Sequence, residues 1–246
     1  MPNDAPTPKH RVFVDEVLEV RAEITAPEST THYLSRVLRL REDAYITLFN
    51  GDGHNYLAQI GALEGKRLHL HILSKEQGAP AAAHSLVLAL PLLKGERMDY
   101  ALQKATELAV DEVILFNAAR SEVKLKSTRL ANRMEHWRRV VRSASEQSGR
   151  TRLPVLHQPA SFIEMLDATK SMDCYTFDPQ ATQQELTVAK ATICTITGPE
   201  GGFEEDELQR LAKQSTLIKF GVFVLRAETA PVVALTIANL ARSRLA

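Results

Sequence analysis

Ile193-Cys194-Thr195-Ile196-Thr197, followed at once by Gly198-Pro199-Glu200-Gly201-Gly202, is the stretch that decides how this chain folds. The first five residues have the length and composition of a buried strand. The Gly-Pro-Glu-Gly-Gly run is a turn that cannot extend it. Phe203-Glu204-Glu205-Asp206-Glu207-Leu208 then loads acids into a first helical turn, where the helix dipole favours them. Further on, Leu217-Ile218-Lys219-Phe220 reads as a second short strand ending at Gly221. Val222-Phe223-Val224-Leu225-Arg226 leads into Ala227-Glu228-Thr229-Ala230-Pro231. Thr229 is a suitable N-cap, with Pro231 inside the first turn of a last helix that runs to about Ser243. Two strand ends, each followed by a glycine and a helix start, are expected side by side at the carboxyl edge of an open α/β sheet, where such sheets bind ligands. Glycines at 198, 201 and 202 leave bare backbone against which a ligand could lie. A tight strand-to-helix connection alone would use the same residues.

Working upstream, Leu86-Val87-Leu88-Ala89-Leu90-Pro91 is another buried-strand run. Lys94-Gly95 precedes a helix expected from Glu96 to about Val110, with Met98, Leu102, Ala105 and Leu108 on one face, and Glu112 to Phe116 is the next strand. That β-α-β alternation implies a parallel sheet with a crossover helix. A long helix is predicted from Leu130 to Ser148, its apolar stripe formed by Leu130, Met134, Trp137, Val141 and Ala144, with Gly149 as its stop. A helix near Ser161 to Ala168 and a strand near Asp173 to Phe177 complete this part.

The N-terminal third has a different texture. Residues 1–10 read as a flexible leader. Short strand-like runs follow at Val12 to Val14, Leu18 to Ile24, Tyr45 to Phe49, Tyr56 to Ile60 and Arg67 to Leu73, with a helix at Glu28 to Leu38 and a strong turn at Asn50-Gly51-Asp52-Gly53. Several short strands and one helix suggest a small β-barrel over 11–78. The small-residue stretch around Ala79-Pro80-Ala81 marks the boundary, leaving 79–246 as an α/β domain.

Composition narrows the functional classes. The chain has 246 residues, 44% hydrophobic and 24% charged, which is ordinary for a globular protein. No apolar run approaches the roughly 18 residues of a membrane span, and the first residues have no secretory-signal pattern. Cys174 and Cys194 lack metal-site spacing and the eight histidines form no metal motif. A reducing, cytoplasmic location is expected. Walker, Ser-His-Asp and zinc motifs are absent. The formal net charge of zero argues by itself against a nucleic-acid partner. Yet from Arg120 to Arg152 there are ten Lys/Arg against three acids, a patch that could meet phosphates or form a solvated helix face.

Gly198-Pro199-Glu200-Gly201-Gly202-Phe203 and the later Leu225-Arg226-x-Glu228-Thr229-Ala230 resemble the C-terminal signature of the RsmE family. Lys94-Gly95-Glu96-Arg97-Met98 and His32-Tyr33-Leu34-Ser35-Arg36-Val37-Leu38-Arg39 resemble further segments of it. These are bacterial SPOUT-class methyltransferases that methylate N3 of a uridine in 16S ribosomal RNA. The resemblance implies a PUA-like RNA-binding barrel, a C-terminal α/β domain tied in a deep trefoil knot, a homodimer, and an assembled small subunit as substrate. It also implies S-adenosylmethionine, held by Leu90, Thr197, Gly198, Glu200, Gly201, Gly202, Phe220, Gly221, Val224, Leu225, Thr229 and Ala230. An acid-rich loop suits that cationic sulfonium better than a polyphosphate. Where the family usually has arginine, this chain has Phe223.

Uridine N3 carries a proton, so its methylation requires that the proton leave and the resulting anion be stabilised. Arg226 is the candidate for the anion on the uracil carbonyl oxygens. Glu228 either takes the proton or orients Arg226; pairing with arginine weakens a carboxylate as a proton acceptor, which favours the second role. Candidate RNA contacts are Arg36, Arg39, Lys94, Arg97, Arg120, Lys124, Lys126, Arg138, Arg142, Arg150 and Arg152. The competing readings are a non-catalytic RNA-binding protein on the same fold, or a relative acting on tRNA.

Overall fold

The computed structural model describes residues 8–123, 127–183 and 185–243. The chain divides into two compact units. The first runs to Pro80 and also takes back residues Ser145–Leu153, and the second comprises Ala81–Ala144 and Pro154–Ala246.

The first unit contains β1 (Arg11–Phe13), β2 (Glu23–Ala26), α1 (Glu28–His32), β3 (Tyr45–Phe49), β4 (His54–Glu64) and β5 (Arg67–Gln77), in the sheet order β1-β3-β4-β5-β2. Val12 of one edge strand and Ala26 of the other share a single core with Ile46, Leu48, Tyr56, Ile60, Leu70 and Leu34. A flat five-stranded sheet with strands ~4.8 Å apart would hold its edges too far apart for that, so the sheet is strongly curved. Register breaks in β4 at Leu57/Ala58 and Ile60/Leu63 supply the bend.

Two expectations differ in detail. The strand expected from Leu18 begins only at Glu23, because Arg21 is left-handed (φ 71°) and interrupts the extended run. The helix expected to Leu38 widens into a π-turn over Tyr33–Val37, with Leu38 N–H donating to the Tyr33 carbonyl.

The returning segment 145–153 is not part of the second unit, as a single cut near residue 79 would have it. It is held by side chains that a contiguous reading does not connect. Arg11 donates to the Ser145, Glu146 and Arg150 carbonyls, and Phe13 N–H donates to Glu146 Oε1 at 2.9 Å. Gly53 and Gly78 leave no room for a Cβ because Arg152 and Thr151 pack on them.

The second unit is an α/β layer structure. Its elements are β6 (Ser85–Pro91), α2 (Glu96–Glu107), β7 (Glu112–Asn117), α3 (Ser127–Ser148), β8 (Val155–Leu156), β9 (Ala160–Ser161), α4 (Phe162–Thr169), β10 (Asp173–Phe177), β11 (Thr192–Thr197), α5 (Glu205–Gln214), β12 (Thr216–Ile218) and α6 (Ala230–Ser243). The last turn of α3, from Ser145, groups with the first unit. The strands are parallel in the order β12-β10-β11-β6-β7-β8, with β9 also on β7.

Both faces of this sheet are covered, so its central strands are apolar throughout rather than alternating. Leu86, Leu88 and Leu90 face one core with Met98, Leu102, Trp137 and Leu235. Val87, Ala89, Cys194 and Ile196 face the other with Met165, Phe203 and Leu211. The strands before the two glycine loops are not neighbours as expected: β10 lies between β11 and β12. Among the described residues, no helix is long and apolar enough to cross a membrane.

Candidate functional site

Three parallel strands, β12, β10 and β11, end at the same edge of the second unit's sheet. The loops leaving them, with the start of α6, enclose a cavity of about 380 Å³. Its apolar side is Phe177, Ile218, Phe220, Phe203 and Leu225, with the Phe177 and Phe220 rings stacked at 4.4 Å. Its polar side is Asp178, Glu200, Glu228, Arg97 and Arg226.

The loop after β11 is braced at both ends. Glu204 caps α5, and in a reciprocal capping box Glu207 accepts the Glu204 N–H at 3.0 Å. Glu207 is buried and also accepts the Ala119 N–H at 2.9 Å, tying the loop after β7 to this turn. Glu200 reaches across to accept the Lys94 N–H at 3.1 Å and faces Arg97 at 3.4 Å.

Arg97 sits between two carboxylates, Glu200 on one side and Glu228 at 3.9 Å on the other. The Glu200 and Glu228 side chains are only 11% and 16% exposed, whereas Arg226, 4.0 Å from Glu228, is 82% exposed. Glu200 Oε2 and Glu228 Oε2 are both buried and, among the described residues, have no hydrogen-bond donor. Two buried carboxylate oxygens at one cavity call for donors from a bound molecule. Thr197 Oγ1, at the end of β11, is buried in the same state.

Of the residues expected to hold a cofactor, Gly198, Glu200, Gly202, Phe220, Val224, Leu225 and Ala230 line this cavity, together with both catalytic candidates, Arg226 and Glu228. Leu90, Thr197, Gly201, Gly221 and Thr229 are not among its lining residues. Leu90 is wholly buried in the core beneath. Gly201 is required for a different reason than ligand access: a Cβ there would meet the Arg120 Cβ at 2.9 Å and its carbonyl oxygen at 3.4 Å. Gly221 (φ 55°) serves the turn itself, and Thr229 accepts the first backbone bond of α6, from Val233.

The sequence reading missed the loop after β10. Phe177, Asp178 and Pro179 line the cavity. The available signal was an Asp-Pro directly after an apolar strand.

The expected RNA contacts divide between the units. In the first, Arg36 and Arg39 are exposed around the π-turn, while Arg150 and Arg152 belong to the returning segment, the Arg150 Nε donating to the Arg152 carbonyl. In the second, Lys94 pairs with Glu122, Arg120 donates to the Gly201 carbonyl, and Arg138 and Arg142 share Glu135 on α3. Arg97, expected as an RNA contact, instead lines the cavity. Lys124 and Lys126 lie outside the described residues. Among the described residues no cluster of His, Cys, Asp or Glu could hold a metal ion.

Residues 80–239 match a model described as an RNA methyltransferase domain, and residues 26–73 one described as an RNA methyltransferase PUA domain. A curated relative from Synechocystis, named ribosomal RNA small subunit methyltransferase E, is 30% identical over 94% of this chain and 77% of its own. The crystal structure of a protein of that name from Neisseria gonorrhoeae, bound to S-adenosyl methionine, is 29% identical with a TM-score of 0.86, covering 94% of this chain and 97% of that one. A Legionella pneumophila protein solved with bound cofactor SAM aligns with a TM-score of 0.91 at 26% identity, covering 96% and 98%. The chain belongs to the ribosomal RNA small subunit methyltransferase E family of RNA methyltransferases.

Proposed function

We propose that this protein uses S-adenosylmethionine to methylate N3 of a uridine in small-subunit (16S) ribosomal RNA. The observation that carries this reading is the acid-bearing cavity at three strand ends, with its two buried carboxylate oxygens awaiting donors. Those oxygens suit ribose hydroxyls or an ammonium, and the apolar wall of Phe177, Ile218 and Phe220 suits a flat adenine. Three carboxylates against two guanidinium groups would disfavour a polyphosphate there.

S-adenosylmethionine, when bound, supplies an electrophilic methyl group. The chain's own part is placement and charge. Arg226, exposed at the cavity mouth, presents donors to the carbonyl oxygens of a uracil ring and stabilises the charge left on it when the N3 proton passes to solvent water at that open mouth. Glu228 orients that guanidinium, and its second arginine neighbour, Arg97, supports this role over proton abstraction. The curved sheet of the first unit, with Arg36 and Arg39 exposed, is read as a grip on the RNA backbone. The loops around the cavity are those that a trefoil knot gathers in the SPOUT class, and the knot is inferred with them.

We further infer a cytoplasmic homodimer acting on an assembled small subunit. Supporting the dimer, α6 buries Ala234, Leu235 and Ala238 on the sheet yet leaves Leu240 exposed on another face.

Calorimetric titration with S-adenosylmethionine tests the core of the proposal. Saturable binding is expected, abolished in Ala230→Phe, which fills the cavity from the first turn of α6. Absence of binding to the unaltered protein would favour a non-catalytic RNA-binding role. Arg226→Lys should bind the cofactor normally and lose at least about 100-fold in turnover. Full turnover in that variant would remove Arg226 from the mechanism.

A further inference from the structure

Among the described residues, Phe223 is the one phenylalanine without a ring partner. The other seven of the eight pair with each other: Phe13 with Phe49, Phe116 and Phe203 with Phe162, and Phe177 with Phe220. Phe223 is instead 84% exposed, between Val222 at 88% and Val224 at 76%. Three consecutive apolar side chains held in water are disfavoured unless something covers them. Their position is specific. Phe223 and Val224 stand at the lining of the cavity, three and two residues before Arg226, and Gly221 with its positive φ turns the chain outward just ahead of them.

An aromatic face and a guanidinium at one mouth together match one chemistry. A flat conjugated ring stacks on the phenyl group, and its carbonyl oxygens accept from the arginine. A protein partner would use the apolar triad but has no reason to need the adjacent cation. A phosphate would use the cation and not the ring. A nucleobase uses both, and a base undergoing chemistry must be unstacked from its neighbours and given a new surface to lie on.

We propose that Phe223 is the stacking platform that receives a nucleobase of the substrate RNA, the target or its immediate neighbour, as it enters the cavity mouth beside Arg226. This rests on the RNA methyltransferase reading above. Phe223 is a substrate-positioning residue, and the role is aromatic rather than merely apolar.

The test compares Phe223→Leu and Phe223→Trp with the unaltered protein, using small ribosomal subunits that lack the methyl group and RNA extracted from them. Phe223→Leu should lose about 5- to 150-fold in kcat/KM for RNA, the range spanned by one base-aromatic stack. Phe223→Trp should stay within a few-fold. Both should retain the dissociation constant for S-adenosylmethionine and the sedimentation coefficient. Equal activity of Phe223→Leu and the unaltered protein would overturn the proposal and leave the methyltransferase reading intact. A loss of cofactor affinity matching the loss of activity would assign Phe223 to cofactor packing instead, and a shift in oligomeric state would assign it to a second copy. No methylation of either RNA by the unaltered protein would sink both readings together.

Discussion

The loops that follow β11 and β12 both leave a strand through glycine and both line the same cavity, yet they are built in opposite ways. From Gly198 to Glu204 the chain is cross-tied: Gly202 N–H to Pro199, the Gly201 carbonyl to Arg120, Glu200 to Lys94, and Glu204 in its capping box with Glu207. From Phe220 to Leu225 there is no hydrogen bond among the described residues, and the loop is anchored at its ends, by Lys219 to Gln183, by the Phe220 ring on Phe177, and by Thr229 and Ala230 to Arg226. A wall fixed before binding suits a small ligand of constant shape, since little ordering remains to oppose affinity. An untied loop with its apolar tip outward suits a large ligand that must be approached and released. Gly201 thus serves packing in one loop, and Gly221 serves turning in the other.

Swapping the demands on those glycines should break the contrast most sharply. Gly201→Val drives a side chain into Arg120 next to its backbone, and about 3 kcal/mol of stability should be lost, with cofactor affinity down at least tenfold (about 1.4 kcal/mol per decade). Gly221→Ala meets open space and bears only the cost of a left-handed φ, about 1 kcal/mol, with affinity nearly unchanged. Thermal unfolding and calorimetry on the pair decide the matter; equal losses would mean the two loops are equally packed.

Removing the central tie is the next test. Glu207→Ala leaves the Ala119 and Glu204 N–H groups without their acceptor. A loss of about 2 kcal/mol is expected in chemical denaturation. Cofactor affinity should fall with it, while Phe223-dependent RNA discrimination stays. An unaltered midpoint would show that the brace is decorative.

The sequence made the central strands of the second unit legible because a doubly covered parallel sheet needs continuous apolar runs, and Leu86 to Pro91 is such a run, whereas Asp173 to Phe177, with its Asp and Thr, is a weaker signal. Loop partnership was not legible. That Gly201 faces Arg120, that Glu207 serves Ala119, and that β10 separates β11 from β12 all depend on contacts between distant residues that no local pattern encodes. The same holds for the segment 145–153, whose hydrogen bonds to Arg11 and Phe13 span most of the intervening chain. Arg226 and Glu228 were found through a motif resemblance, and their unequal exposure only through the fold.

A smaller effect sharpens the comparison from outside the site. The Asn50–Gly53 turn is a third loop, and one of its braces titrates: Tyr56 donates its hydroxyl to Asp52 Oδ2 at 2.6 Å. Burial, that hydrogen bond and the Asp52 charge push the Tyr56 pKa up to about 12 from 10.0. A pKa raised in the folded state gives stability that is complete below pH 10 and is lost as pH rises toward 12. Tyr56→Phe should therefore cost about 1 kcal/mol at neutral pH and flatten the alkaline decline. Denaturation midpoints measured from pH 8 to 12 check both, and an unflattened decline would assign it to other groups.

The pairing of β6 with β11 has a consequence for how the protein is made. Ile196 lies opposite Ala89, roughly a hundred residues away in the chain, and the Gly198 loop that lines the cavity leaves β11 just beyond that contact. Parallel pairing at such separation closes a long loop before any contact rewards it, which slows folding. On the ribosome, the first unit's sheet can form while the residues of β11, β12 and α6 are still being synthesised. Each new molecule therefore owns the sheet of its first unit before it owns an active site, and its catalytic competence is the last thing to mature.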